Sequence, residues 1–562
     1  MAIQDASIDD LHTALLYSSV PKTILVGAAI SSVAPSCLPD GRTWVLGLIR
    51  QLLEVSGLSL THGIDSLLAI DKETGRLPIP LEAALSAIEA STQGLGTSIV
   101  SAIATGAPTN SLHELIVSFL ISGNTRVMTT NFDLLLEDAY SARTLGRQCR
   151  RWIAGDHFDA EAEIFKLRGS ADRPESLRHT FRAVNRRAPK DAIDGVRALS
   201  SDRLIVAGYA GADFDITDML LSDGTDPTSS DGIKAPVYWL EVPGKDPPAA
   251  AVLLAATRDL HFVAGTFADL LQREGLSGGS YEPDGRHVWG RMNDIIRGIP
   301  PATAREILMP LLYQSRVAEP ATSGLFIDFR AALRASPDPQ SRRLFHLAEA
   351  SDAQHKAGFA RNHLRAAWHF ARFARPGKWA ASASDIMDSV QRIAHGAFVP
   401  GRIAAIPFHW IASRVASGAE RARMRMRLAT SLSIFGLHRV ILKVLDHALE
   451  DDEADTYTEG LILKRRAMAA AAMGGKDWEA DILEARKRFL FENRTVELGV
   501  LLRAEGHCAL LQRDYDRALS LTREAEAFQR RHGQHSQEIE SRMLSAVIQF
   551  APWLARVFVR FV

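Results

Sequence analysis

Over the first half of the chain, short apolar runs alternate with longer stretches in which apolar residues recur every three or four positions. The runs at 24–28, Thr125–Thr129, 164–167, Arg203–Ala207, 237–240 and 260–263 are four or five residues long. Runs of that length predict strands buried on both faces, and the intervening periodicity predicts helices over 1–22, 44–55, 78–91, 111–122, 134–140 and 266–273. Asp9 and Asp10 open the first of these helices, and Asn110 or Ser111 caps the one at 111–122. Strands and helices in alternation predict an α/β, doubly wound (Rossmann-like) parallel sheet. The Gly- and Ser-rich stretch 275–285 interrupts the pattern. From 287 onward only helical periodicity remains, which predicts an all-α helical-repeat or bundle region. Gly506, Tyr515, Ala518 and Ala525 fall at tetratricopeptide-like offsets, with looser echoes around Phe435-Gly436 and Gly474-Gly475, a period of roughly 37–40 residues. The expected organisation is a nucleotide-binding domain over 1–275, a linker over 276–290 and a helical region over 291–562. The apolar tail 553–562 is expected as an ordinary terminal core helix rather than an interface helix.

Composition narrows the function classes. A chain of 562 residues with 46% hydrophobic and 23% charged residues is too long for one core and too apolar for long disorder. A formal net charge of −1 gives no global attraction to nucleic acid or to an anionic membrane. The basic run from Arg173 to Lys190 has only Phe181 as a stacking aromatic, so a solvated helix face is expected there rather than a nucleic-acid surface. The opening residues lack the basic and apolar segments of a signal peptide, and no uninterrupted apolar run of about 18 residues occurs. Cys37, Cys149 and Cys508 stand far apart, which leaves no Cys-x-x-Cys pair and no zinc or disulfide framework. A reduced, cytoplasmic protein without a metal is the expectation.

The chemistry gathers at the strand ends. Gly27-Ala28-Ala29-Ile30-Ser31 follows the first strand, and its small residues let a ligand approach the backbone. Thr130-Asn131-Phe132-Asp133 follows the second, Arg168-Gly169-Ser170 the third, and Gly208-Tyr209-Ala210-Gly211-Ala212-Asp213 the fourth. In a doubly wound sheet these ends converge on one crevice. Taken in order, Gly27–Ser31, Pro35-Ser36-Cys37-Leu38-Pro39-Asp40-Gly41, Thr130–Asp133, Lys166-Leu167-Arg168-Gly169-Ser170 and Gly208–Asp213 resemble the motifs of the sirtuin family of NAD-consuming enzymes over about residues 20–275. The resemblance implies NAD as ligand or substrate. It implies that Gly27, Ala28, Ala29 and Ser31 line the diphosphate, that Asn131 orients the nicotinamide ribose and water, and that Asp133 contacts the ribose or the amide. Thr130, Gly169, Ser170, Gly208, Tyr209 and Gly211 would complete the pocket, with Asp213 at the adenosine half or capping a helix.

Three departures shape what the resemblance implies. Arg168 stands where the family carries a histidine base. Arginine stays protonated and cannot take up a proton, though it can pair with a phosphate or stabilise the pocket. The site would then cleave NAD through Asn131 with a relocated base, bind NAD or ADP-ribose without turnover, or keep the fold alone. His157 and His179 flank the motif but read as ordinary loop or surface histidines. Ala29 replaces a glycine, and the cysteine-pair zinc module of protein-deacylating sirtuins is absent, which disfavours deacylation. With no Gly-x-Gly-x-x-Gly, a dehydrogenase is disfavoured too. A zinc-free sirtuin-like domain joined to a helical region resembles bacterial antiphage effectors. That likeness implies hydrolysis of NAD to ADP-ribose and nicotinamide, gated by the helical part, by a homo-oligomer and by a protein activator or partner.

Overall fold

The computed structural model describes residues 3–555 except 17–19, 59–78, 93, 181–182, 185–189, 212, 222–235, 246, 256–257, 267–268, 271, 273–285, 319–322, most of 356–397, and short breaks at 417, 452–453, 455, 476, 492–494, 532–533 and 554. The chain divides into two compact units, Met1–Ser341 and Arg342–Val562.

In the first unit the described elements run β1 (Gln4–Ala6), α1 (Ile8–Leu16), β2 (Lys22–Val26), α2 (Gly41–Ser56), α3 (Leu81–Thr92), α4 (Leu95–Ala104), α5 (Ser111–Ile121), β3 (Thr125–Thr129), α6 (Leu135–Arg143), β4 (Arg151–Ile153), β5 (Ile164–Lys166), α7 (Lys190–Ser201), β6 (Arg203–Ala207), α8 (Phe214–Leu220), β7 (Val237–Glu241), α9 (Ala249–Ala255) and β8 (Leu260–Ala264). All pairings are parallel, in the order β1-β8-β7-β6-β2-β3-β5-β4. From β2 the chain first winds outward through β3 to β5 and β4, then returns to β6 on the other side. The carboxyl ends of β2, β3 and β6 therefore flank the switch point where such sheets bind ligands. Side chains alternate between two cores. Ile24, Val26, Val127, Ile164 and Ile205 pack with Leu11, Leu15, Leu115 and Leu136 of α1, α5 and α6. Leu25, Met128, Phe165, Leu204 and Val206 pack with Val196, Ile216 and Leu254 of α7, α8 and α9. The doubly wound expectation holds.

Some elements differ from the periodicity. The first 22 residues are not one helix: Gln4–Ala6 adds an edge strand to β8 before α1 begins. The strand β4 and the helix α4 were not expected, because a three-residue edge strand and a stretch rich in small residues carry little periodicity. The basic run 173–190 begins with a 3-10 turn at Pro174–Ser176 rather than a helix. Within it Arg173 pairs with Asp156 at 2.8 Å, and Arg178 donates to the carbonyls of Ala183 and Val184. Parts of the helix expected at 266–273 lie outside the described residues.

The unit continues past the expected break at 276–290, of which 276–285 lies outside the described residues. Helices α10 (Arg286–Arg297) and α11 (Pro301–Ala318) pack on α2, α3 and α4. A Cβ at Gly47 would lie 2.2 Å from the Trp289 ring. Arg291 donates to the Thr105 carbonyl and Arg305 to the Ser56 carbonyl. Helix α12 (Ser323–Ala335) follows, and α13 (Pro339–His355) crosses the division between the units.

The described elements of the second unit are all helical: α14 (Phe398–Val415), α15 (Gly418–Leu432), α16 (His438–Asp451), α17 (Thr456–Ala472), α18 (Trp478–Phe491), α19 (Thr495–Leu511), α20 (Tyr515–Arg531) and α21 (His535–Phe550). α17 pairs with α18, α19 with α20, and α17 stacks on α19. The hairpins start at Thr456 and Thr495 and their second helices at Trp478 and Tyr515, so the unit repeats every 37–39 residues. Residues 556–562 of the expected terminal helix lie outside the described residues.

Candidate functional site

Register puts the motifs at one level. Val26 is opposite both Thr129 and Ala207, so Gly27, Thr130 and Gly208 leave the sheet together. Thr129 is opposite Lys166, the Leu167 amide donates to the Thr129 carbonyl, and the Ala171 amide to that of Phe132. Asn131 and Arg168 thus lie on neighbouring chain ends.

The loop after β2 is a 3-10 turn at Ala28–Ile30. Gly27 is required by packing: a Cβ there would lie 2.6 Å from the Gly208 carbonyl oxygen and 2.7 Å from Tyr209 Cα. Gly208, at φ +63, presses on Ile30 and Ala29 from the other side. Four of the loop amides are already engaged: Gly27 donates to the Ala207 carbonyl, Ala29 to Gly208, Ile30 to Gly27 and Ser31 to Ala28. The methyl of Ala29 is exposed.

Ser31 is buried, and it forms the centre of a polar cluster rather than an open phosphate contact. Its Oγ donates to Asp133 Oδ2 (3.0 Å) and accepts from Asn131 Nδ2 (3.1 Å). His113 Nε2 lies 3.1 Å from the same oxygen. The His113 Nδ1 accepts the Asn110 amide (3.2 Å), which leaves the hydrogen on Nε2 to be donated to Ser31. This contact belongs to a capping box at the start of α5. Asn110 caps the helix with its Oδ1 and ties the loop down through Nδ2, which donates to the carbonyls of Ile30 and Val33. Burial pushes the His113 pKa down to about 4 against the opposing pull of Asp133, so the ring is neutral. Asp133 Oδ1 accepts the Leu135 amide and opens α6, while buried Lys166 donates to the Asp133 carbonyl and lies 3.1 Å from Glu137. Asn131 is 7% exposed. Its Oδ1 is buried without a hydrogen-bond partner, an acceptor left over after every neighbouring donor is placed.

A second cluster surrounds Arg168, itself buried. Its Nη2 donates to Asp213 Oδ1 (2.5 Å) and Asp215 Oδ1 (2.9 Å), and lies 3.7 Å from Glu82 Oε1. Nη1 donates to the Arg178 carbonyl (3.3 Å). Burial works to lower the Arg168 pKa, but Asp213, Asp215 and Glu82 outweigh it and hold the guanidinium charged. Glu82, 21% exposed, is pushed up to about 7 by burial, partly offset by Arg168 and reinforced by Asp213 and Asp215. Burial also raises Asp215, against Arg168. Asp213 precedes α8 without capping it through its side chain, because its carboxylate is on Arg168. Tyr209 is buried against Trp239, and its hydroxyl donates to the Asp213 carbonyl. Gly169, at φ +89, packs against the Ser176 carbonyl. Ser170 is turned to Asp172, and Gly211 packs against Ala250 and Trp239.

The residues expected at one crevice therefore fall into two clusters and a packed frame. Ser31, Asn131 and Asp133 come together; Arg168 and Asp213 come together; Gly27, Gly169, Ser170, Gly208, Tyr209 and Gly211 shape the loops between them. Thr130 donates its amide to the Val26 carbonyl. His157 is exposed, and His179, expected as an ordinary loop or surface histidine, is buried beside Thr97. Glu82, His113 and Asp215 were missed, and Asn110, expected only as a helix cap, also ties down the loop after β2. The pair Asn110 and His113, at the first turn of a predicted helix, was the available signal for His113. Among the described residues no group of three or more His, Cys, Asp or Glu is arranged to hold a metal, and no helix is long and apolar enough to cross a membrane.

Residues 125–256, from β3 to just past α9, match the family of the SIR2-like domain. The matched stretch contains Asn131, Asp133, Arg168 and Asp213; the loop at Gly27–Ser31 lies before it. No curated protein and no solved structure matches the chain. By that match, over strands whose ends meet at the switch point, residues 125–256 carry a SIR2-like domain of the sirtuin-like, NAD-related kind.

Proposed function

We propose that the first unit binds NAD at the switch point beside Asn131 and hydrolyses its nicotinamide–ribose bond. The observation that carries this reading is the buried, unpartnered Oδ1 of Asn131. Its amide nitrogen is committed to Ser31, so the oxygen is fixed as an acceptor for a ribose hydroxyl or a water. The chemistry asks little more. The C1′–N bond breaks with its electron pair on the nicotinamide nitrogen, which leaves neutral and needs no acid. Water adds to the oxocarbenium-like ribose and releases one proton, giving ADP-ribose and nicotinamide. The negative charge of Asp133 favours the cation, and Asn131 holds the water. Arg168 serves as a structural cation in this scheme.

Full occupation of Arg168 by carboxylates favours a second reading, in which the unit holds NAD or ADP-ribose without turnover. Nicotinamide release by the purified full chain separates them. The first reading expects release, lowered by about 10²–10³-fold in Asn131→Ala, with the melting temperature little changed. Calorimetric NAD binding with no release under any condition, or release untouched by Asn131→Ala, overturns it. We extend the proposal to the whole chain as a cytoplasmic antiphage effector, in which the helical unit, self-assembly and a protein activator gate NAD loss. Total NAD in phage-infected cells expressing the protein tests this: a fall with the native chain and none with Asn131→Ala is expected.

A further inference from the structure

The hairpins of the second unit leave one helix face open. On α17, Gly460, Ala467 and Ala471 are buried; on α19, Gly499, Gly506 and Leu510 stand at the same places and are buried too. A Cβ at Gly460 would lie 2.7 Å from the Phe489 ring, and one at Gly506 would lie 2.7 Å from Thr522. The same positions of α21 are Ile539, Ala546 and Phe550. Ile539 is 56% exposed and Phe550 82%, and Met543 between them is 65% exposed; Ala546 is exposed as well. The opposite face, with Ser541, Ser545 and Ile548, is buried, and Ser541 donates to Gln529 of α20. α21 thus carries an apolar seam at spacings of four, three and four, the pattern that fits one helix to another. Large apolar side chains occupy positions that are mostly glycine and alanine in the complete hairpins.

We propose that this face pairs with the same face of a second copy, antiparallel about a twofold axis. In that register Ile539 meets Phe550 of the second copy and Met543 meets its Ala546, so the middle of the seam sets large against small. Glu540 lies opposite Gln549 of the second copy. The flanking charges are answered within one copy: Arg542 holds Glu526 and Glu538, and Arg503 holds Glu540. The seam therefore asks for a neutral apolar helix, which the same chain supplies. Its three large side chains contribute on the order of half of the roughly 800 Å² that a stable interface takes from each partner, and the polar flanks supply the rest.

The test is the mass of the full chain in solution by light scattering and sedimentation over a concentration series. A dimer is expected, converted to monomer by Met543→Glu with Phe550→Glu at unchanged helicity and melting temperature. In a background with Cys37, Cys149 and Cys508 replaced by Ser, the pair Met543→Cys and Ala546→Cys should form an interchain disulfide on mild oxidation. A native monomer at every concentration overturns the proposal, as does a dimer that survives the substitutions and forms no crosslink. A monomer whose melting temperature falls on Phe550→Glu also overturns it, because the face is then covered by its own chain.

Discussion

Two polar clusters share the carboxyl edge of one sheet and are built on opposite plans. Around Arg168, one cation gathers three carboxyl groups: the guanidinium meets Asp213, Asp215 and Glu82 and donates to a carbonyl, with Asp215 Oδ2 left buried and unpartnered at the cluster's edge. Around Ser31, the donors and acceptors of His113, Asn131 and Asp133 interlock until one acceptor, Asn131 Oδ1, is left. A buried cation whose partners all come from the protein is answered by structure alone. A buried acceptor without a partner costs free energy unless something else supplies a donor. The contrast separates residues that hold β5, β6 and α3 together from those that the proposed function assigns to a ligand.

The largest expected effect breaks the first cluster. Arg168→Ala leaves three carboxyl groups facing one another in low dielectric, and should cost about 3–5 kcal/mol, read as a fall in denaturation midpoint. Protonation relieves that repulsion, so the loss should be greatest above neutral pH and shrink on acidification. An unchanged midpoint at pH 8 would mean that the carboxylates are solvated and the cluster is a surface feature.

How far the sequence discloses this site follows from the range of its contacts. The short apolar runs mark the six interior strands, because a strand buried on both faces must be apolar throughout. Gln4–Ala6 and Arg151–Ile153 escape because edge strands of three residues need no such run. Asn131, Asp133 and Arg168 are found because they sit at strand ends. Glu82 and His113 are not, because their roles depend on helices α3 and α5 crossing to strands far away in sequence. Nothing local to Arg168 announces that Asp215, 47 residues on, takes its charge. The extension of the first unit to Ser341 escapes for the same reason: Trp289 reads as one apolar residue of a helix until it meets Gly47.

The second prediction uses pH to set the clusters against each other. Glu82 has a folded pKa near 7, above its ordinary value of 4.5. The folded state then holds a proton that the unfolded state has lost, so this group's contribution falls as pH rises from about 4.5 to 7. His113 has a folded pKa near 4, below its ordinary 6.5. Its contribution is present above pH 6.5 and is lost as pH falls toward 4. Each is on the order of 1–3 kcal/mol. Denaturation curves between pH 4 and 8 should therefore steepen their rise with pH in Glu82→Gln and flatten it in His113→Gln. Slopes unchanged by either variant would place the titration elsewhere.

The smallest expected effect concerns Ala29, the departure from the family's glycine in the loop between the clusters. If its methyl alone kept a diphosphate away, Ala29→Gly would tighten NAD binding strongly. The hydrogen bonds argue otherwise. The Ala29 amide is committed to the Gly208 carbonyl, and the amides of Gly27, Ile30 and Ser31 are committed as well, so removing a methyl frees no donor for a phosphate oxygen. The methyl is exposed and fills no core, which limits the stability change to within about 0.5–1 kcal/mol, the ordinary cost of glycine's extra backbone freedom. Calorimetry should therefore show NAD affinity within about threefold of the native chain, well under the ~1.4 kcal/mol that a tenfold change requires. A tenfold or greater tightening would mean that the loop releases its amides when the ligand arrives, and that the methyl, rather than the bond to Gly208, is what restrains it.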